Sequence, residues 1–149
     1  MTASRVTAEE FTRVIREGLP SGDATGFEVV SLEHGSALLR RRTGPGDLRP
    51  GGTVAGPVLF GFADLALYAV VMSAIGPVPL AVTTDATIHF LRRPTPGTLL
   101  ARARLLKVGR SLVVGECEIT REGDVGGPFA HAVMSYSIPP AARPLAPPP

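Results

Sequence analysis

Residues 56–76 read GPVLFGFADLALYAVVMSAIG, and this stretch decides the fold of the chain. Pro57 suits the first turn of a helix, because the N–H that proline lacks would have no partner there. Gly76 followed by Pro77 is typical of a helix end. The residues between these limits are apolar nearly all round. The sequence therefore predicts one long helix that is buried on most sides.

Asp64 is the only charged residue between Pro50 and Thr84. A lone carboxylate among apolar side chains is costly unless it accepts hydrogen bonds or faces a cavity. Two interpretations stay open at this point. Asp64 could be paired with the Thr83 or Thr84 hydroxyl or an arginine only to satisfy the fold, or it could belong to a functional site. A membrane span is a competing interpretation, and Asp64, Gly61 and the strand-like sequence that follows argue against it.

The remaining composition describes one aliphatic domain. The chain has 149 residues, of which 44% are hydrophobic and only 5% aromatic, and this length suits a single domain. A net charge of +2 and few aromatic rings argue against a nucleic-acid partner. The single cysteine, Cys117, excludes an intrachain disulfide and fits a reducing compartment. The first residues contain no apolar signal-peptide region, so we expect a cytoplasmic protein.

Around the long helix, the sequence alternates in the manner of a sheet. A capping-box spacing between Thr7 and Glu10 predicts a short helix over 7–18. The other predicted elements are a hairpin over 26–42, a loop over 43–52, a strand over 81–91, a hairpin of 99–107 with 111–120, and a strand over 128–138. We predict an α+β fold in which one curved antiparallel sheet wraps the helix. Residues 1–138 form this domain, and 139–149 form a proline-rich, disordered tail.

Two finer predictions concern strand register. Strict alternation in the strand over 81–91 places Ala86 on one face and Thr83 on the other. A three-residue turn at Val108–Arg110 would set Arg102 opposite Glu116, where their opposite charges would meet.

Gly56 is a second candidate for chemistry. At the start of a helix, unpaired N–H groups and the positive end of the helix dipole can receive a developing oxyanion. The simpler interpretation is that Gly-Pro starts helices for conformational reasons. Four cations near strand ends, Arg92, Arg93, Lys107 and Arg110, either meet phosphates or are solvated.

Other kinds of site find no support in the sequence. The three histidines share no metal-ligand spacing, so we predict no metal. No Walker or dinucleotide-type glycine motif is present, and we predict no cofactor. Cys117 alternates with Glu116 and Glu118, which places it in the core as a poor nucleophile.

Two stretches resemble the hotdog-fold acyl-CoA thioesterases of the PaaI-like, phenylacetate-pathway type. They are GGTVAGPVLFGFADLALYAV (51–70) and PLAVTTDATIHFLRRPTPG (79–97), and the resemblance extends over about 26–138. In that family an acid follows the first glycine of a His-Gly-Gly loop by eight residues, as Asp64 follows Gly56. A Ser or Thr two residues before an Asp corresponds to Thr83 and Asp85. The resemblance implies the hotdog fold.

The resemblance also implies an activity, thioester hydrolysis at a dimer interface. If the matching residues have the family's roles, the Gly56 N–H polarises the thioester carbonyl, Asp64 acts as nucleophile or general base, and Thr83 positions the water. Acyl-CoA is then the substrate, with coenzyme A entering only as part of it, and homodimers pair into a dimer-of-dimers tetramer without nucleic-acid or membrane partners. The substrate-binding residues would be Val58, Leu59, Phe60, Tyr68, Arg92, Arg93, Lys107 and Arg110.

Three departures from the family pattern keep alternatives open. Ala55 stands where the family has His, Pro57 replaces the second Gly, and Arg49 replaces a loop Asn. A non-catalytic hotdog protein that binds acyl-CoA or lipid is the main alternative. A dehydratase is disfavoured, because no histidine lies between His34 and His89. A purely structural partner domain would bind no ligand at all.

Overall fold

A computed structural model describes residues 2–18 and 26–142. Its helices are α1 (Ala8–Gly18) and α2 (Gly56–Ile75), and short 3₁₀ turns lie at Pro45–Asp47 and Pro140–Ala142. The strands are β1 (Phe27–Glu33), β2 (Ser36–Arg42), β3 (Val82–Phe90), β4 (Thr98–Val108), β5 (Leu112–Arg121) and β6 (Ala130–Ser137). Of the predicted tail, residues 143–149 lie outside the described residues.

The six strands form one antiparallel sheet in the order β1-β2-β4-β5-β6-β3. The helix α2 packs against this sheet, and Leu59 and Leu67 have no exposed surface. Gly115 of β5 permits the close approach, since a Cβ there would lie 2.7 Å from a methyl group of Leu67. The predicted α+β hotdog architecture is confirmed. Although α2 is long and apolar enough to cross a membrane, 61% of its most apolar window is buried inside the fold, so it is the core helix.

The helix α1 begins with the predicted capping box. The Glu10 N–H donates to Thr7 Oγ1 at 3.1 Å, and the Thr7 N–H donates to Glu10 Oε2 at 2.8 Å. The Phe11 ring packs edge-on against Phe27 and Tyr68. These contacts fix α1 beside the C-terminal half of α2.

Both register predictions are wrong, one because the β4–β5 turn lies elsewhere than predicted and the other because of a β-bulge in β3. The chain turns at Arg110 and Ser111, where the Gly109 N–H donates to the Leu112 carbonyl, and Leu106 is an extra residue in β4. Together these place Arg104 opposite Glu116, with which it forms an ion pair, and Arg102 opposite Glu118. In β3 the register shifts between Thr83 and Asp85. The shift turns Thr83 toward α2, on the same side as the partly buried Ala86.

Cys117 lies in the core as predicted, with 1% of its surface exposed. Burial raises the pKa of its thiol to about 12. The thiol therefore stays protonated at neutral pH and is a poor nucleophile.

Candidate active site

The start of α2 leaves one backbone N–H without a partner. The N-cap is Ala55, which has no side-chain acceptor, and Pro57 has no N–H. The Val58 N–H donates to the Ala55 carbonyl at 3.0 Å, but among the described residues no group accepts from the Gly56 N–H. Because this N–H lies at the positive end of the helix dipole, it is suited to bind an oxyanion.

Conformation also favours glycine at position 56. A residue that precedes proline avoids the helical conformation when it carries a Cβ, and Gly56 is helical. A Cβ at this position would lie 3.4 Å from the Phe90 ring, an ordinary van der Waals contact, so the available space does not itself require glycine. The conformational and the chemical interpretations of Gly56 are therefore compatible.

The loop before α2 is organised by Asp47. Its carboxylate accepts from Arg41 at 2.7 Å and from the Gly44 N–H at 2.8 Å. Its backbone carbonyl accepts from the Ala55 N–H at 2.8 Å. Asp47 thus fixes the residue next to Gly56, in a chain where Ala55 replaces the family histidine. Sequence reasoning missed Asp47, whose only signal was its place in a Gly/Pro-rich turn.

Asp64 is half-buried, and its two carboxylate oxygens have different surroundings. Oδ1 accepts from the Thr83 hydroxyl at 2.7 Å and lies 2.5 Å from the Tyr136 hydroxyl. Among the described residues, nothing donates to Oδ2, and no arginine contacts the carboxylate. The Thr84 hydroxyl instead lies 3.4 Å from the Ser135 carbonyl. The expected hydrogen bond to a threonine is present, but it satisfies only one oxygen.

Tyr136 is a member of this site that sequence reasoning missed. Its side chain is 1% exposed, and its hydroxyl is also 2.9 Å from the Asp64 backbone carbonyl. Burial, and then the charge of Asp64, raise the pKa of Tyr136 far above its usual range. The phenol therefore stays protonated and donates to the carboxylate. The available signal was its inward-facing position in the alternation of β6.

Two cavities meet at Asp64. One, of about 550 Å³, is a groove between α1 and α2, which we call the α1–α2 groove. The other, of about 240 Å³, lies between Asp64, Thr83, Tyr136 and Pro79. Tyr68 lines both cavities, stacks on the Tyr136 ring, and donates to the Pro79 carbonyl at 2.7 Å. Burial and the charge of Asp64 raise the pKa of Tyr68, which keeps it a donor.

The three consecutive candidates at the start of α2 point in different directions, as a helical turn of about 100° per residue requires. Val58 lines the α1–α2 groove. Leu59 is fully buried and lines a separate cavity of about 400 Å³ beside Gly56. Phe60 is 37% exposed on the helix surface. One chain therefore does not gather these three side chains in a single pocket.

The four cations that the sequence predicts to bind substrate have different surroundings. Arg92 donates to Asp124 at 2.9 Å and to the Gly127 carbonyl at 2.7 Å, with its guanidinium over the Phe129 ring. It therefore holds a turn of its own chain. Arg93 is exposed and lines the cavity beside Gly56. Lys107 and Arg110 are exposed near the β4–β5 turn.

Gly56 and Asp64 lie at opposite ends of the candidate site in one chain. Eight residues of helix separate them by about 12 Å along the axis. Gly56 lies beside Phe90 at one end of β3, and Asp64 contacts Thr83 at the other. The β4–β5 turn is near the Thr83 end, since Leu112 and Val82 both pair with Ser137. The fold and the Asp64 site define a hotdog protein whose central helix carries a carboxylate with one bonded and one available oxygen.

Comparisons with known proteins agree with this class. The family model of the thioesterase superfamily matches residues 51–127. A protein of Silicibacter sp. TM1040 assigned to the thioesterases is 39% identical, with a TM-score of 0.81 over 92% of this chain and 94% of that one. A search of curated proteins finds no match.

Two further solved structures resemble the chain at 25% identity. The Escherichia coli PaaI protein of the phenylacetic acid degradation operon has a TM-score of 0.75, covering 89% of this chain and 94% of that one. A Streptococcus mutans protein bound to acetyl-CoA has a TM-score of 0.67, covering 74% and 86%. The chain belongs to the thioesterase superfamily and is a PaaI-like thioester hydrolase.

Proposed function

We propose that the protein hydrolyses acyl-CoA thioesters to the free acid and CoA, with Asp64 as nucleophile or general base. The proposal rests on the unequal surroundings of the two carboxylate oxygens. Thr83 and Tyr136 donate hydrogen bonds to Oδ1, whereas no described residue donates to Oδ2. Family membership and the acetyl-CoA complex of the Streptococcus mutans relative support the substrate class.

As general base, Asp64 takes a proton from a water whose oxygen attacks the thioester carbon. As nucleophile, Oδ2 attacks that carbon itself, and water hydrolyses the resulting acyl-enzyme anhydride. In either case the C–S bond breaks, and the CoA sulfur leaves and takes up a proton. Thr83 donates its proton to Asp64, so its oxygen can accept a hydrogen bond from the attacking water. The Gly56 N–H stabilises the oxyanion.

The separation of Gly56 and Asp64 requires two copies of the chain. An oxyanion donor must lie about 3 Å from the oxygen it stabilises, and about 12 Å of helix separates these groups in one chain. β3 is the last strand of the sheet and leaves one edge unpaired. Its exposed Val82 and Phe90, at 53% and 54%, mark the two ends of that edge.

Antiparallel pairing of β3 with β3 of a second copy sets the Phe90 end of one strand beside the Val82 end of the other. Gly56 and Arg93 of one copy then approach Asp64, Lys107 and Arg110 of the second. This arrangement assembles one oxyanion donor, one carboxylate and three exposed cations for the CoA phosphates at each of two sites. We infer a homodimer as the working unit, pairing further into a tetramer, in the reducing cytoplasm.

Release of free thiol from acyl-CoAs tests this function. We expect saturable release from a panel of short, medium and aromatic acyl-CoAs, followed with a thiol reagent. A non-catalytic binder would give a thermal shift with acyl-CoA but no thiol release, and a structural domain would give no shift with CoA or acyl-CoA. Either result would overturn the proposed activity.

Replacing Tyr136 with Phe tests its role in holding Asp64. A hydrogen bond to a charged group contributes about 1.5–3 kcal/mol, so we expect kcat to fall about 10–100-fold if the bond orients the carboxylate for the reaction. KM should change less than about two-fold, because the hydroxyl faces Asp64 and not the α1–α2 groove. The matched control is Thr84→Ala, which also loses a hydroxyl next to the site. A fall in both parameters, or in neither, would contradict the positioning role.

A further inference from the structure

We propose that the α1–α2 groove binds the acyl group of the substrate as an uncharged, apolar chain of medium length, and that Gly61 sets the depth of the groove. This inference rests on the proposed function, because the reacting carbon is placed at Asp64. The groove volume of about 550 Å³ falls within the range of small-molecule sites.

The lining of the groove fits an apolar occupant. Val58 and Leu65 of α2 contribute its floor, and Ile15 of α1 contributes a wall. The wall is already in place, because Phe11 packs against Tyr68 and the Arg5 N–H donates to the Ser73 carbonyl at 2.8 Å. An apolar chain would therefore enter a formed groove without first ordering α1.

The charges of the groove disfavour a carboxylate on the acyl group. Arg41 is the one cation among the described lining residues. Its guanidinium is bonded to Asp47 at 2.7 Å, and both side chains are 16% exposed. An acyl carboxylate would have to compete for Arg41 with Asp47, whose carbonyl holds the residue before Gly56. Uncharged acyl groups have no such cost.

The length of the groove indicates the chain length. From Asp64 back to Val58, six residues of helix span about 9 Å. A fully extended chain advances roughly 1.2 Å per bond, so about seven or eight carbons reach from the reacting carbon to Val58. Shorter acyl groups would leave part of the apolar floor uncovered and gain less from its burial.

Gly61 is the position where the fold itself gives no reason for glycine. It lies inside α2, where Gly is about 1 kcal/mol less favourable than Ala. A Cβ at this position would meet no atom within 4 Å, and its φ is not positive. Since neither packing nor backbone conformation requires Gly61, we assign its small size to the open floor of the groove.

Graded filling of the groove tests the inference. We expect Gly61→Ala and Gly61→Leu to lower the ratio of kcat/KM for octanoyl-CoA to that for butanoyl-CoA, by about ten-fold or more for Leu. The ratio is taken within each variant, so that a loss of activity common to both substrates cancels. Thermal melting should show that Gly61→Ala is at least as stable as the wild type.

The failures of the two proposals are distinguishable. If the wild type releases no thiol from any acyl-CoA, the proposed function fails. If the wild type is active but the octanoyl-to-butanoyl ratio stays constant in both variants, the acyl group does not lie over Gly61. If Gly61→Leu loses both rates while light scattering shows dissociation into monomers, Gly61 serves packing between copies, and the groove assignment is overturned.

Discussion

Asp64→Asn is expected to lower kcat/KM for acyl-CoA hydrolysis by about 10²–10⁴, the usual contribution of a positioned general base. The amide oxygen of Asn can still accept from Thr83 and Tyr136, so the fold should retain both hydrogen bonds. The other carboxylate oxygen, however, becomes an NH₂ group that can neither accept a proton nor attack the thioester carbon. The variant therefore separates the chemistry of Asp64 from its part in the fold.

Initial rates of thiol release at low substrate concentration measure this effect. The matched control is Asp85→Asn, which neutralises an exposed acid on β3 two residues beyond Thr83. We expect the control to remain within about three-fold of the wild type, because exposed charges are strongly screened. An Asp64→Asn enzyme with the wild-type rate would contradict the assigned mechanism.

Moving the proline by one residue removes the oxyanion donor. In Gly56→Pro with Pro57→Ala, the first turn keeps one proline but loses the N–H at position 56. We expect kcat to fall about 10²–10³-fold relative to Pro57→Ala alone, as for other lost oxyanion donors. Ala55 already has the extended conformation that a residue before proline requires, with φ −67° and ψ 142°. The helix start should therefore remain intact.

Circular dichroism and melting temperature of the double variant and of Pro57→Ala provide the structural control. Equal helicity with the large loss of kcat would assign the loss to the missing N–H. Equal kcat in the two proteins would show that the Gly56 N–H takes no part in the reaction.

Local signals explain why the sequence predicted the helices well. The segment from Pro57 to Gly76 carries its own start and stop residues, and α2 is found at Gly56–Ile75. The Thr7–Glu10 capping box likewise depends only on residues three positions apart. Neither element needs information from distant parts of the chain.

The strand registers depend on tertiary structure, which the alternation of residues does not contain. The bulge between Thr83 and Asp85 turns the Thr83 hydroxyl toward Asp64, a contact between a strand and the core helix. The β4–β5 pairing likewise depends on the turn falling at Arg110 and Ser111 and on the extra residue Leu106. A two-residue period cannot anticipate where one strand inserts a residue.

The same argument applies to the site. Asp64 could be singled out because it is the lone charge in an apolar segment, and Thr83 because it matches the family pattern. Tyr136 is 72 positions from Asp64, and it reaches the carboxylate only because β6 pairs beside β3. The sequence also did not separate Arg92, which holds its own turn, from the exposed Arg93.

The most direct test of the central claim, that Asp64 of one copy acts with Gly56 of the other, is complementation between two inactive variants. Asp64→Asn and the Gly56→Pro/Pro57→Ala variant are co-expressed with different tags, and the mixed dimers are isolated by sequential affinity steps. In a symmetric dimer, each mixed pair contains one site with both groups intact, so we expect about half of the Pro57→Ala activity per dimer. Mixed dimers as inactive as their parents would show that both groups come from one chain, and would contradict the account.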